Sequence, residues 1–576
     1  MPLWGKGSSD KPKYLTSGAP NHDPEDCFAT EEGWILRHYK GYDKNTAPYW
    51  DEVLVAINGI DLGSGGGGGG GIVGPTVNML VYTTNSVSSF RLKSTGTVEY
   101  EVDWGDGTVE SLTVNEPNHS YSTAGQYTVT VTPAAGSTYQ PYFNRRFNWE
   151  PNPIDSVAGV GGAQLGTDLT NAWKGLSNMA TFTDTVDVSG VETFAETWSG
   201  CSGLTSFPLL DFSSATTLNS AWNSCSGLTS FPEIDTSSVT SFGATWGGCS
   251  GLTSFPLLDF SAGTNMNMTW FNCTGLTSFP LINISSATSL QLTWNGCTSL
   301  TSFPALNTSS VTTFTSTWGN CTGLTSFPVL NTSSGTNFDG AWGSCTGLTS
   351  FPVLNVSSAT TLSGTWESCT GLTSFPVLDT SSATDFGSSW KGCTGLTSFP
   401  VLNTSSGTEF DRTWQNCTGL TSFPVLDTSS GQNYVDCWKG CTGLTSFPVL
   451  NTSSGTTFQG TWENCTGLTS FPALDFSAAT FFPSAWRFCS NLTTFPANMF
   501  DTTGTLQSDA FNQAWNGCAL TAQSIENILV SLDTNGATNI TLNLDGGTNA
   551  ANGTWSAAAN TAYNNLIGKG WTIARN

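Results

Sequence analysis

CTGLTSFPVLNTSSGTTFQGTWEN, residues 441–464, decides the fold, because Cys465 opens nearly the same words again. Cysteines stand at 201, 225, 249, 273, 297, 321, 345, 369, 393, 417, 441, 465 and 489, always 24 residues apart, with a tryptophan three residues ahead of each from Trp198 to Trp486. The series extends outward to Trp173, where Leu176 replaces the cysteine, and to Trp515 with Cys518 after a five-residue insertion. The fifteen coils are least regular at the two ends, as expected of a stacked array whose terminal units meet solvent.

Counting each cysteine as position zero, Leu at +3, Phe at +6 and Leu or Ile at +9 read as inward-facing, with Thr-Ser at +4 and +5 between them. The proline at +7 has no N–H to give a neighbour, so a strand covering +3 to +6 ends there. A second strand is expected around the apolar +17, flanked by polar +16 and +18. Asp or Asn at +10, followed by Ser or Thr, supplies turn chemistry, and Trp-x-x-Cys puts both side chains on one face of a helical turn. Stacking at about 4.8 Å per coil predicts a rod of roughly 70 Å.

The strict recurrence makes Trp198, Cys201, Trp222, Cys225, Trp438, Cys441, Trp462 and Cys465 members of structural ladders. Equivalent Cα atoms so close could be bridged, but side chains in register point the same way. Buried free thiols are the favoured expectation, and pairing between some neighbouring coils is the alternative. Thirteen thiols in a line do not converge as a tetrahedral metal site does. Histidine occurs only at His22, His38 and His119, so a histidine-based triad is excluded from all that follows.

Outside the array, residues 1–62 read as a small N-terminal module and 63–74 as a linker containing seven consecutive glycines, Gly65 to Gly71. Residues 75–143 carry period-two stretches such as Val98, Tyr100, Val102 and Trp104, expected of a small β-sandwich. DWGDGT (Asp103–Thr108) and HSYSTAGQYTVTV (His119–Val131) resemble PKD-type immunoglobulin-like domains, in which they imply a spacer or binding module. Asp103 and Asp106 are read as turn residues rather than a cation site. The repeat occupies 144–518, and 519–576 is expected to close its open end as a small α/β cap.

LTSFP after CTG or CSG, the TSS segment and W-x-x-C together resemble the BspA-type leucine-rich repeats of bacterial and mycoplasma surface proteins. Tryptophan replaces their usual phenylalanine, and the proline at +7 is an addition. The fold expected is therefore mainly β: a leucine-rich-repeat-type solenoid with two short strands and a helical turn per coil, behind an immunoglobulin-like sandwich and ahead of an α/β cap. The opening MPLWGKGSSDKPKYLTSG, with EEGWILRHYKG and WDEVLVAINGI, is similar to the N-terminal segments of structural proteins from T-even-type phages of marine cyanobacteria.

The formal net charge is −25, and only Lys391, Arg412, Lys439 and Arg487 are basic between Cys201 and Cys489, which argues against a nucleic-acid partner. The N-terminus has no apolar run long enough for a signal-peptide core or membrane span, and a virion protein released by lysis needs neither. The resemblance thus implies a fibre or decoration protein on the virion surface. Its N-terminal module would bind other virion proteins and its solenoid host-surface glycan or protein, in a homotrimer if it follows the habit of fibres. The alternative is a cellular surface adhesin of the leucine-rich-repeat class.

Variation between coils marks the candidate binding ridge: Asp385, Glu409, Asp411, Arg412, Asn433, Asp436, Lys439, Gln459 and Glu463. Positions +16, +18, +19 and the two residues after the tryptophan change freely, and freedom to vary suggests exposure. Asp385 and Glu409, at +16 of adjacent coils, have the spacing of a retaining glycosidase pair, but nothing in the sequence supplies a cleft. The Thr-Ser rows at +4 and +5 would make a flat hydroxyl array, and ice binding is the other distant reading. Neither catalytic residues nor a cofactor is expected.

Overall fold

The computed structural model describes residues 27–30, 33–41, 49–54, 56–57, 60–61, 79–84, 87–92, 99–134 apart from 115, 141–142, 154–160 and 165–576. The glycine linker lies outside them, as does most of the cyanophage-like opening. Two compact units divide at Thr76. In the first, β1 (Cys27–Thr30), β2 (Gly33–Gly41) and β3 (Tyr49–Leu54) form an antiparallel sheet in that order, with β4 (Ala56–Ile57) and β5 (Ile60–Asp61) as a short hairpin.

The second unit begins with a sandwich. Its larger sheet runs β13-β12-β6-β11-β8-β9, and β10 (Asn118–Gly125) pairs with β7 (Val87–Arg91) in the other. Strands β6 (Met79–Thr84), β8 (Tyr100–Asp103) and β11 (Thr128–Pro133) alternate, burying Leu80, Tyr82, Tyr100, Val102, Val129 and Val131, while β9 (Val109–Leu112) is an exposed edge. The sheet does not stop at residue 143. Strand β12 (Ile154–Val160) adds antiparallel to β6 and parallel to β13 (Thr181–Phe182), which lies in the first coil. The sandwich thereby gives the solenoid its first rung.

Each coil then bonds to the next at 24-residue separation, in an unbroken series of parallel bridges at +16 from Thr193↔Thr217 to Thr457↔Phe481. The two strands expected per coil shrink to single rungs. Around +4 only one backbone bond survives at most interfaces, such as Thr277 N–H to the Thr253 carbonyl at 3.1 Å. Proline at +7 stops that ladder, and the backbone turns directly after +16.

The stronger ladder lies where a helical turn was expected. In the coil of Cys441–Asn464, the N–H groups of Phe458, Gly460, Trp462 and Asn464 donate to Phe481, Pro483, Ala485 and Arg487 of the next coil, at 2.8–2.9 Å. The intervening N–H groups of Thr461, Glu463 and Cys465 donate three residues back within the chain. A backbone that alternates in this way must turn into the left-handed region twice per coil. It does so at +19 and +23, here Gly460 (φ 61°) and Asn464 (φ 63°). Serine, asparagine or glycine usually fills +23, but +19 also holds Arg412 (φ 55°) and Asp436 (φ 55°), so its variability is not conformational freedom.

The repeat's polar residues are also bonds between coils. Thr461 Oγ1 donates to the Tyr434 carbonyl at 2.8 Å and Thr456 Oγ1 to that of Gln432 at 3.2 Å. The cysteine does likewise: Cys465 Sγ donates to the Trp438 carbonyl at 3.1 Å, and the same pattern runs from Cys201 to Cys518. Inside, indoles stack on indoles; Trp462 lies 5.9 Å from Trp438 and 5.5 Å from Trp486, and meets Phe447 and Phe471 edge to face. Such ring pairs add about 0.5–1.5 kcal/mol each to plain area burial.

The C-terminal segment takes the place of the missing next coil. Helix α1 (Ala522–Asn535) is capped by Thr521 and ends at Gly536, and α2 (Ala557–Gly568) is capped by Ser556. Strands β14 (Thr541–Leu544) and β15 (Thr572–Arg575) pair in parallel, and the Phe511↔Leu542 bridge hands the last coil to β14. Side chains of α1 satisfy N–H groups that another coil would have met: Ser524 Oγ accepts from Phe495 at 3.0 Å and Ser531 Oγ from Phe500 at 2.8 Å.

Candidate binding surface

All eight predicted ladder residues are buried, so the tryptophans are core and offer no platform to a sugar. The fifteen cysteines from Cys201 to Cys518 are free and buried, and burial drives their thiols well above the usual range, Cys297 and Cys369 to about 12. Alkylating the native protein without reductant should therefore leave these thiols unmodified, and alkylation after denaturation should label them all. A denatured mass lacking most of those adducts would show disulfides instead.

In the sandwich, Asp103 and Asp106 are spent on the turn. Asp103 Oδ1 accepts from Gly105 N–H at 2.9 Å and Asp106 Oδ1 from Thr108 N–H at 3.0 Å. Gly105 (φ 78°) passes so near β11 that a Cβ would lie 2.4 Å from the Thr128 oxygen. Asp106 Oδ2 also meets His119 Nε2 at 2.8 Å, and that hydrogen bond holds its carboxyl down at about 2.

The ridge is a chain of paired charges rather than a row of free ones. Lys439 Nζ lies 2.9 Å from Glu463 Oε2 and 3.4 Å from Asp436 Oδ1; Arg487 reaches the other Glu463 oxygen at 3.7 Å, and Arg412 meets Asp411 at 3.7 Å. Exposure is uneven: Glu463 is 12% exposed and Arg412 48%, so variation marks the ridge without making it uniformly open. Burial raises the Asp436 carboxyl despite Lys439 beside it. Desolvation opposes the Lys439 charge, but the bond to Glu463 and the Asp436 charge prevail and raise its pKa. Gln459 is exposed on the same ridge.

Asp385 and Glu409 are bridge partners, each turned to its neighbour along the column. Asp385 accepts from Gly387 N–H at 2.8 Å and from Thr361 Oγ1 at 3.3 Å, while Glu409 accepts from Asn433 Nδ2 at 2.9 Å. A glycosidase pair must flank a bond from two sides, whereas these rise from one side of one column. Among the described residues no cluster of three or more His, Cys, Asp or Glu forms a metal site, and no helix is long and apolar enough to cross a membrane. The Thr row at +4 spends its donors on carbonyls one coil back, as Thr301 Oγ1 does on Thr277 at 3.2 Å.

One surface feature escaped the sequence reading. Position +8 is exposed and aliphatic in most coils: Leu209, Leu257, Leu281, then Val329 through Val449 in six successive coils, each 62–67% exposed. Its place directly before the buried Leu at +9 could have put it on the opposite face.

The PKD domain family matches residues 80–139. Among solved structures, a leucine-rich repeat protein from Eubacterium ventriosum is similar at 13% identity and a TM-score of 0.25, over 46% of this chain and 78% of that one. No curated protein matches. The solenoid rests on its own hydrogen bonds rather than on that distant likeness. The chain thus joins a PKD domain to a stacked repeat rich in leucine, tryptophan and cysteine.

Proposed function

We propose that this protein is an adhesive surface protein of a phage virion, a fibre or decoration whose solenoid binds glycan or protein on the host envelope. The observation that carries the binding role is the concentration of variation. Nearly every constant side chain of the coil is used in joining one coil to the next, and the changing charges gather on the ridge of Asp411, Arg412, Asp436, Lys439, Glu463 and Arg487. A scaffold maintained at such uniformity, with all four basic residues between Cys201 and Cys489 gathered in one column, suits recognition of a polar partner. The virion assignment draws on the cyanophage-like N-terminus, and the runner-up remains a cellular adhesin with the same binding surface.

Two measurements test the parts separately. Antibody labelling of purified particles in electron microscopy should decorate a fixed location; unlabelled particles remove the virion role and leave the cellular adhesin. Replacing Arg412 and Lys439 together by alanine should weaken retention on host cell envelopes by about tenfold, with the fold retained by circular dichroism and the melting temperature lowered modestly, because Lys439 pairs with the largely buried Glu463. Unaltered retention would remove the ridge as the binding surface.

A further inference from the structure

The aliphatic column at +8 has no role in the coil, since its side chains point away from the core and stand 62–67% exposed. Six valines, Val329, Val353, Val377, Val401, Val425 and Val449, follow one another without a break, and the next rung on either side is alanine, Ala305 and Ala473. Proline at +7 runs alongside, and no lysine or arginine occurs between +4 and +10 in any of these coils. Successive tryptophan rings from Trp318 to Trp462 stay within 10° of parallel, so the coils behind the strip stack without a kink. A continuous exposed apolar strip of this length marks an interaction surface.

We propose that the valine strip is the interface of a homodimer in which two copies lie face to face and antiparallel, related by a two-fold axis between Val377 and Val401. An isologous interface requires a surface that reads the same after reversal. The strip does: Ala305 meets Ala473, Val329 meets Val449, Val353 meets Val425 and Val377 meets Val401. A partner with the same rung spacing keeps register over all eight positions, and a second copy has that spacing by construction.

Charge selects the antiparallel sense. There the Asx rows at +10 face each other, pairing Asn307 with Asp475, Asn331 with Asn451, Asn355 with Asp427 and Asp379 with Asn403, so no carboxylate opposes another. Parallel copies in register would instead set the exposed Glu233, the one acid in the +8 column, against itself. The valines with their flanking alanines and prolines offer on the order of 700 Å² per copy, close to the roughly 800 Å² per partner of a standard interface.

Sedimentation of the full chain should show a monomer–dimer equilibrium. Val377→Glu, which places an acid against Val401 of the other copy twice per dimer, should weaken it by about 100-fold. Leu209→Glu, beyond the overlap, should leave it unchanged, and both sites are exposed enough for the fold to tolerate the change. Under mild oxidation, a mixture of Val329→Cys and Val449→Cys chains should form disulfide-linked dimers beyond the level of the unsubstituted chain. Val329→Cys alone should not, because its two copies would lie about 24 Å apart along the strip. A monomer at all concentrations, a trimer, a dimer insensitive to Val377→Glu or self-linking of Val329→Cys would each overturn the proposal.

Discussion

Raising the pH from 8 to about 11 unfolds the solenoid, with stability almost flat below about pH 8 and falling steeply above about pH 9. The cause is the thiol column. In the fold each thiol is held protonated by burial, with pKa values raised well above 9.0 at Cys225, Cys345 and Cys441, and to about 12 at Cys297 and Cys369. A group whose folded pKa is raised contributes stability that is complete below its unfolded pKa and is lost as pH rises towards the folded value. Between those limits the unfolded chain releases protons that the folded chain retains, costing about 1.4 kcal/mol per pH unit for each thiol. Fifteen buried thiols acting together would give a slope on the order of 20 kcal/mol per pH unit, and segments that melt separately would share it in proportion. Urea midpoints followed by tryptophan fluorescence at pH 7 to 11 measure this. Replacing Cys345, Cys369 and Cys393 by alanine should make the curve shallower. A midpoint that holds constant to pH 11 would show that thiol burial does not govern alkaline stability.

The same column shows what was legible in the sequence. Repetition made the inward positions plain, because the same residue, Trp, Cys, Leu at +3 or Phe at +6, is held through thirteen coils, whereas the exposed +8 column drifts among Leu, Val, Ala and Glu. It could not tell a strand from a single rung. Both readings need an apolar +17 with polar neighbours, and what separates them is the left-handed backbone at +19 and +23. At +23 serine, asparagine and glycine give a signal for that conformation, but Arg412, Met268 and Leu292 at +19 give none, since only the stacked ladder holds them there. Strand β12 was hidden for a related reason: its partners β6 and β13 lie far away in sequence, and no local pattern announces such pairing. The charged ridge was legible as variation, but its pairing was not, because Lys439 and Glu463 meet only once the coils are stacked.

Replacing Trp342 by alanine in the middle of the array should cost about 3–5 kcal/mol, whereas phenylalanine at the same place should cost about 0–2. Trp342 is fully buried; it stacks on Trp318 at 5.2 Å and Trp366 at 6.1 Å and meets Phe327 and Phe351 edge to face. Alanine removes contacts with the coil on each side and leaves a cavity that rigid stacking cannot close. Phenylalanine keeps a ring in the column and removes a liability, because the Trp342 indole N–H is buried without a hydrogen-bond partner, as it is along the whole column. A donor left in that condition costs about 1–3 kcal/mol, which offsets part of the smaller ring's lost packing. Because each coil touches only its neighbours, the alanine defect should appear as faster hydrogen exchange in coils 321–369, with coils near Cys225 and Cys465 unaffected. If alanine and phenylalanine prove equally mild, the ring stack does not clamp the coils, and their cohesion must lie in the backbone ladder from +17 to +23 alone.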